Sequence, residues 1–175
     1  MVDPLRSVLV KRPDPAFAVS DPRPWHYTGR PDLGIARAEH DAFVALLRDG
    51  GAEIVYHEVP QPTRADAIYV HDPAIVTDQG AILLRMGKPL REGEESAIGQ
   101  QLQSAGVPIL YRLHGDARAE GGDLLWIDHD TLAVGQGFRT NAEGLRQLRE
   151  ALDPLGVTTV TADLPYGQGR EACLH

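Results

Sequence analysis

The chain is short of cysteine, short of positive charge and without any long apolar run, and each shortage removes a class of protein. One cysteine, Cys173, among 175 residues excludes an intrachain disulfide framework and suits a reducing compartment, so the cytoplasm is the expected location. No apolar stretch approaches the roughly 20 residues of a membrane-spanning helix, and Met1-Val2-Asp3-Pro4 lacks the pattern of a signal peptide. The 17 Lys and Arg are outnumbered by 25 Asp and Glu, a formal net charge of −8. Neither nucleic acid nor an anionic membrane is therefore expected as the main partner. The same charge leaves room for a cationic small molecule.

What the chain does have is apolar residues spread evenly enough for one domain over 1–175, arranged with a period. Three amphipathic helices each end at a glycine and run into a β-rich segment. The first follows Asp32 as N-cap and carries Ile35, Ala38, Ala42, Phe43, Leu46 and Leu47 on one face, before Ala52–Tyr56. The second runs from about Glu92, with Ala97, Ile98, Leu102 and Ala105 apolar, to Gly106 and then Val107–Tyr111. The third opens at Thr140-Asn141-Ala142-Glu143, which reads as a capping box, and presents Leu145, Leu148 and Leu152 before Val157–Val160.

Between the helices lie hairpins: Ala74–Thr77 with Ala81–Leu84, and Asp123–Ile127 with Thr131–Val134. Asp78 and Asp128 in the two turns are 50 positions apart, as are Gly87 and Gly137 just beyond them. The repeated module is thus strand, strand, helix, strand, and the first copy has only Ser7–Val10 ahead of its helix. Such modules bury their faces by stacking, either in an open α/β layer or in a closed ring. The segment Gly169–His175 reads as the start of a further hairpin without its return strand.

Polar residues stand at the entrances to the hairpins. Asp66, Glu120 and His175 are separated by 54 and 55 residues, close to the module length, so a ring would bring two carboxylates and an imidazole together. Carboxylates accept the forked N–H groups of a guanidinium in pairs, and a histidine beside a carboxylate can move protons near neutral pH. Arg91 and Arg139 precede the second and third helices and could hold an anionic group. A carboxylate at either arginine, with a guanidinium at Asp72 and Glu120, describes an arginine-like ligand.

Each of these residues also has a plainer reading. Asp66 and Asp72-Pro73 fit turns, Glu120-Gly121-Gly122-Asp123 fits a loop, and arginines ahead of helices are commonly solvated. Asp128-His129-Asp130 has metal-ligand composition but fills a hairpin turn, and His71, His114 and His129 are read as loop or turn residues. Trp25-His26-Tyr27 is either a lid or a packed aromatic corner. Joint spacing, rather than identity, favours the site.

The segments Asp66–Pro73, Glu120–Asp123, Arg139-Thr140-Asn141-Ala142-Glu143-Gly144 and Leu174-His175 resemble motifs of the dimethylarginine dimethylaminohydrolases. These belong to the guanidino-modifying (pentein) superfamily, with the arginine deiminases and amidinotransferases. The resemblance runs from Tyr27 to the last residue. It implies an α/β fold of repeated ββαβ modules in a five-module β/α propeller, of which about three modules would be present. It implies that Asp72 and Glu120 bind the guanidinium and that Glu120 orients His175, the general acid/base. Asp66 would hold the amino-acid end, with Arg91 and Arg139 on the substrate carboxylate. A cysteine would attack the guanidinium carbon, and no metal or organic cofactor would be required.

The family's nucleophile lies in its last module, and nothing in this chain matches it. Cys173 shares a strand face with His175 but is expected to be a small buried hydrophobe. Three functions remain in view: hydrolysis of a guanidino group, amidino transfer, and guanidinium binding without catalysis. A homodimer is left open.

Overall fold

The computed structural model describes residues 3–19 and 21–165. They divide into two compact units, Asp3–Val70 and 71–165, and each is described by itself. Cys173 and His175 lie outside the described residues.

In the first unit, β1 (Ser7–Val10) pairs in parallel with β2 (Glu53–Tyr56), in the register Ser7 to Glu53 through Val10 to Tyr56. Helix α1 (Leu33–Asp49) connects them and starts as expected, with the Asp32 carboxylate accepting from the Ile35 N–H at 2.9 Å. Its inward face differs from the expected one. Val44 is buried, with Leu33, Arg37, His40 and Leu47 half-buried beside it, whereas Ile35 and Leu46 are 61% and 70% exposed. Polar anchors set this rotation. Arg37 Nε donates to the Pro13 carbonyl at 2.8 Å, and Arg12 forks onto Asp41 at 2.8 and 2.7 Å. Apolar periodicity alone does not register such anchors.

The second unit contains the repeat twice. Strands β3 (Ala74–Thr77) and β4 (Gly80–Leu83) are antiparallel, helix α2 (Glu94–Ser104) follows, and β5 (Ile109–Arg112) returns parallel to β4. The second copy has β6 (Leu124–Trp126) antiparallel to β7 (Thr131–Gln136), then α3 (Ala142–Leu152), then β8 (Thr158–Asp163) parallel to β7. Both sheets place the hairpin's second strand at the centre. Every residue of β4 is buried, while β7 alternates and buries Leu132 and Val134. Together with Ile82, Leu84, Leu145, Leu148 and Leu152 they form one apolar core.

Helix α3 begins one residue later than the capping-box reading implies. Asn141 is the N-cap, and its side-chain oxygen accepts from the Gly144 N–H at 2.8 Å. Thr140 is drawn away to a buried carboxylate, and Glu143 bonds forward to Arg146 and Gln147 rather than back to the cap. The β-strands of the described residues form three separate sheets, of two, three and three strands, and none closes.

Candidate functional site

The two modules of the second unit hold their arginines in matching places, whereas the position that matches Asp72 is a glycine, Gly122. Asp72 lies two residues before β3 and Gly122 two residues before β6; the Gly122 N–H donates to Asp72 Oδ1 at 3.2 Å across this 50-residue spacing. Arg91 and Arg139 each follow the hairpin and precede the helix of their own module. The repeat thus places the two arginines of the cluster alike, while its carboxylates, Asp72 and Glu120, stand at different places in their modules.

Glu120 is fully buried at the start of the short turn Gly121–Asp123. Its Oε1 accepts from the Gly87 N–H at 2.7 Å, and Arg139 Nη1 lies 3.2 and 3.0 Å from its two oxygens. The backbone N–H of Glu120 donates to Thr140 Oγ1 at 3.3 Å, and that hydroxyl donates to Asp123 Oδ2 at 2.6 Å. Gly87 has a reason to be glycine here. A Cβ at this position would stand 3.1 Å from Glu120 Oε1 and 3.2 Å from Arg139 Cα.

Arg91 joins the other half of the cluster. Its Nη1 donates to Asp72 Oδ2 at 2.6 Å, and it stands 3.9 Å from Glu120 Oε2. Its Nε and Nη2 edge is held by Glu94, at 3.1 and 3.0 Å from Nε and 2.7 Å from Nη2. Burial by itself disfavours the charge on Arg91. Hydrogen bonds and charge from Glu94, followed by those of Asp72, more than offset this and raise its pKa. Removing one member of such a buried pair typically costs about 3–5 kcal/mol.

The structure thus brings Asp72, Glu120, Arg91 and Arg139 into one buried network. Asp66 lies in the first unit, 2% exposed in the turn Ala65–Ile68, where the Tyr27 hydroxyl donates to its Oδ1 at 2.6 Å. Tyr27 also packs against Phe17 with ring centroids 6.0 Å apart, and Trp25 is buried, as an aromatic corner requires. His175, the sixth expected member, falls outside the described residues.

Sequence reasoning missed Glu94, which is 1% exposed. The available signal was its i, i+3 spacing from Arg91, masked by neighbouring Glu92 and Glu95 at a helix start where acidic residues are ordinary. It also missed the pairing of Tyr27 with Asp66, which joins residues 39 positions apart.

This fold is that of the dimethylarginine-hydrolysing enzymes. A Pseudomonas aeruginosa dimethylarginine dimethylaminohydrolase, solved as a cysteine-to-serine variant with citrulline, superimposes with a TM-score of 0.81 at 25% identity, covering 95% of this chain and 64% of that one. The N-terminal domain of ArgZ, a cyanobacterial arginine dihydrolase solved with its substrate, shares the fold at a TM-score of 0.74 and 21% identity, over 91% of this chain and 58% of its own. In sequence, the N(G),N(G)-dimethylarginine dimethylaminohydrolase of Streptomyces coelicolor is 32% identical over 158 residues, 90% of this chain and 59% of that protein. The model of the N,N dimethylarginine dimethylhydrolase family, eukaryotic, matches residues 31–167. The chain belongs to the dimethylarginine dimethylaminohydrolase family, and it spans 59% and 56% of the first two curated relatives that it matches.

Proposed function

We propose that the chain is a partial guanidino-modifying domain of a hydrolase that acts on arginine or an N-methylated arginine, yielding citrulline plus ammonia or an alkylamine. The observation that carries this reading is the buried network in which Asp72 and Glu120 already accept guanidinium donors, those of the protein's own Arg91 and Arg139. Carboxylates held in this way match the forked N–H groups of a substrate guanidinium. Family membership and the citrulline complex of the Pseudomonas relative support the same chemistry.

In this reading the modules belong to a five-module β/α propeller. Asp72 and Glu120 bind the guanidinium, Asp66 holds the amino-acid end, and Arg91 and Arg139 take the carboxylate. Glu120 orients His175. A cysteine thiolate forms a bond to the guanidinium carbon, and the C–N bond to the departing amine breaks as His175 supplies its proton. Water, deprotonated by His175, then displaces the thiolate and leaves citrulline. The nucleophile is a cysteine other than Cys173, the one cysteine of these 175 residues.

The test is citrulline release from arginine and its methylated forms by the polypeptide translated from the complete reading frame. Glu120→Gln and His175→Ala should each lower kcat by about 10²-fold or more, the scale of losing a positioned acid/base, while Cys173→Ser leaves it unchanged. Activity that persists in both of the first two variants overturns the reading. Product analysis with an added amine acceptor separates hydrolysis from amidino transfer. Binding without turnover identifies a non-catalytic guanidinium site.

A further inference from the structure

Glu94 is the member of the buried network that none of the roles above absorbs. It sits at the first position of α2, where an exposed glutamate would gain from the helix dipole while remaining hydrated. Instead it is 1% exposed, and both of its oxygens are engaged by Arg91. Taking a carboxylate out of water costs several kcal/mol before pairing, so its burial calls for a reason beyond helix capping.

We propose that Glu94 is a positioning residue of the cation site, acting through Arg91 on Asp72. This rests on the reading that Asp72 receives the ligand's guanidinium. By gripping the Nε and Nη2 edge, Glu94 fixes the plane of the Arg91 guanidinium and directs Nη1 at Asp72 Oδ2, 2.6 Å away. With Gly122 donating to Oδ1, the Asp72 carboxylate is fixed from both sides. Glu94 also shares the charge of Arg91. With Glu94 ionised, Arg91 answers two carboxylates, and Asp72 keeps its attraction for a second cation. With Glu94 neutral, Arg91 becomes the full counter-ion of Asp72, and an arriving guanidinium meets a carboxylate already balanced. Glu94 therefore sets the affinity for a cationic ligand and leaves that for a neutral ligand of the same shape nearly alone.

Arginine and citrulline form that pair of ligands, sharing the amino-acid end and differing in a charged guanidinium against a neutral ureido group. Isothermal titration of the chain and of Glu94→Gln with both ligands provides the test, with circular dichroism to establish that the variant is folded. The expected result is an affinity for arginine reduced about tenfold, with that for citrulline within about twofold. Equal losses for both ligands, or no loss for either, overturn the role of Glu94 while leaving the cation site standing. A parent chain that binds neither ligand overturns the cation-site reading, and this proposal with it. Should Glu94→Gln fail to fold, Glu94→Asp carries the test because it keeps the charge. Its arginine-to-citrulline affinity ratio should stay within about twofold of the parent's, and a collapse of that ratio overturns the proposal.

Discussion

A single methyl group tests how tightly the charged cluster is built. The N–H of Gly121 donates to the Asp72 carbonyl at 2.9 Å, which places the turn Gly121–Asp123 directly against the backbone of residues 71–72. A Cβ on Gly121 would overlap the His71 carbonyl oxygen and stand 3.2 Å from Asp72 Cα, and backbone atoms cannot step aside as a flexible side chain would. Gly121→Ala should therefore lower stability by about 1–3 kcal/mol, the usual cost of overpacking, and shift the backbone resonances of Asp72. Gly29→Ala is the control, since nothing lies within 4 Å of a Cβ there. A Gly121→Ala chain with an unchanged urea midpoint would refute the close approach. At this scale the motifs that carry the family resemblance pointed to Asp72, Glu120 and Arg139. The 54- and 55-residue spacing pointed instead to Asp66, which lies in the other unit, and His175, which falls outside the described residues. The sequence was illegible for Glu94, because three glutamates within four positions look alike until the fold buries one of them on Arg91.

Helix starts show what sequence patterns resolve among elements and what they leave open. All three helices lie close to where their periodicity and glycine stops put them, yet α1 is rotated and α3 is capped one residue late. In both cases a polar side chain has a long-range partner: Arg37 with Pro13, and Thr140 with Asp123. The first turn of α3 carries its own pH signature. Glu143 accepts two bonds from Arg146 at 2.9 and 2.8 Å and one from Gln147 at 2.8 Å. Gln147 in turn brackets the backbone of His114, donating to its carbonyl and accepting from its N–H. The Arg146 hydrogen bonds, followed by that of Gln147, hold the Glu143 carboxyl at about 2, below its ordinary 4.5. A folded-state pKa that is depressed contributes stability above the unfolded value and loses it as pH falls towards the folded one. Glu143→Gln should thus melt at a lower temperature than the parent at pH 6, and the gap should close between pH 4.5 and about 2. Melting curves across that window check the sign. A gap that widens on acidification would contradict it.

For the whole molecule, the fifty-residue period was the most legible feature, because turn residues and apolar pattern recur together and each copy folds alike. The antiparallel hairpins β3-β4 and β6-β7 followed from it, and the structure adds that β5 and β8 each return parallel to the hairpin's second strand. The burial of each strand did not follow from the period, since it depends on how many partners that strand has. Among the described residues, strand β4 has a neighbour on both sides and four buried residues, while β1 and β2 pair only with each other and have one buried residue between them, Val10. Sheets of two strands are marginal without added packing, and parallel pairing is slightly weaker per residue than antiparallel. Local opening should follow this difference, because amides exchange fastest where few buried apolar contacts hold the hydrogen bonds closed. Native-state hydrogen exchange should accordingly protect Ile82, Leu83, Leu132 and Val134 by about tenfold or more over Val8, Leu9, Ile54 and Val55. Protection that is equal across the two groups would mean that β1 and β2 open only with the core, and that partner number does not set the order of opening in this fold.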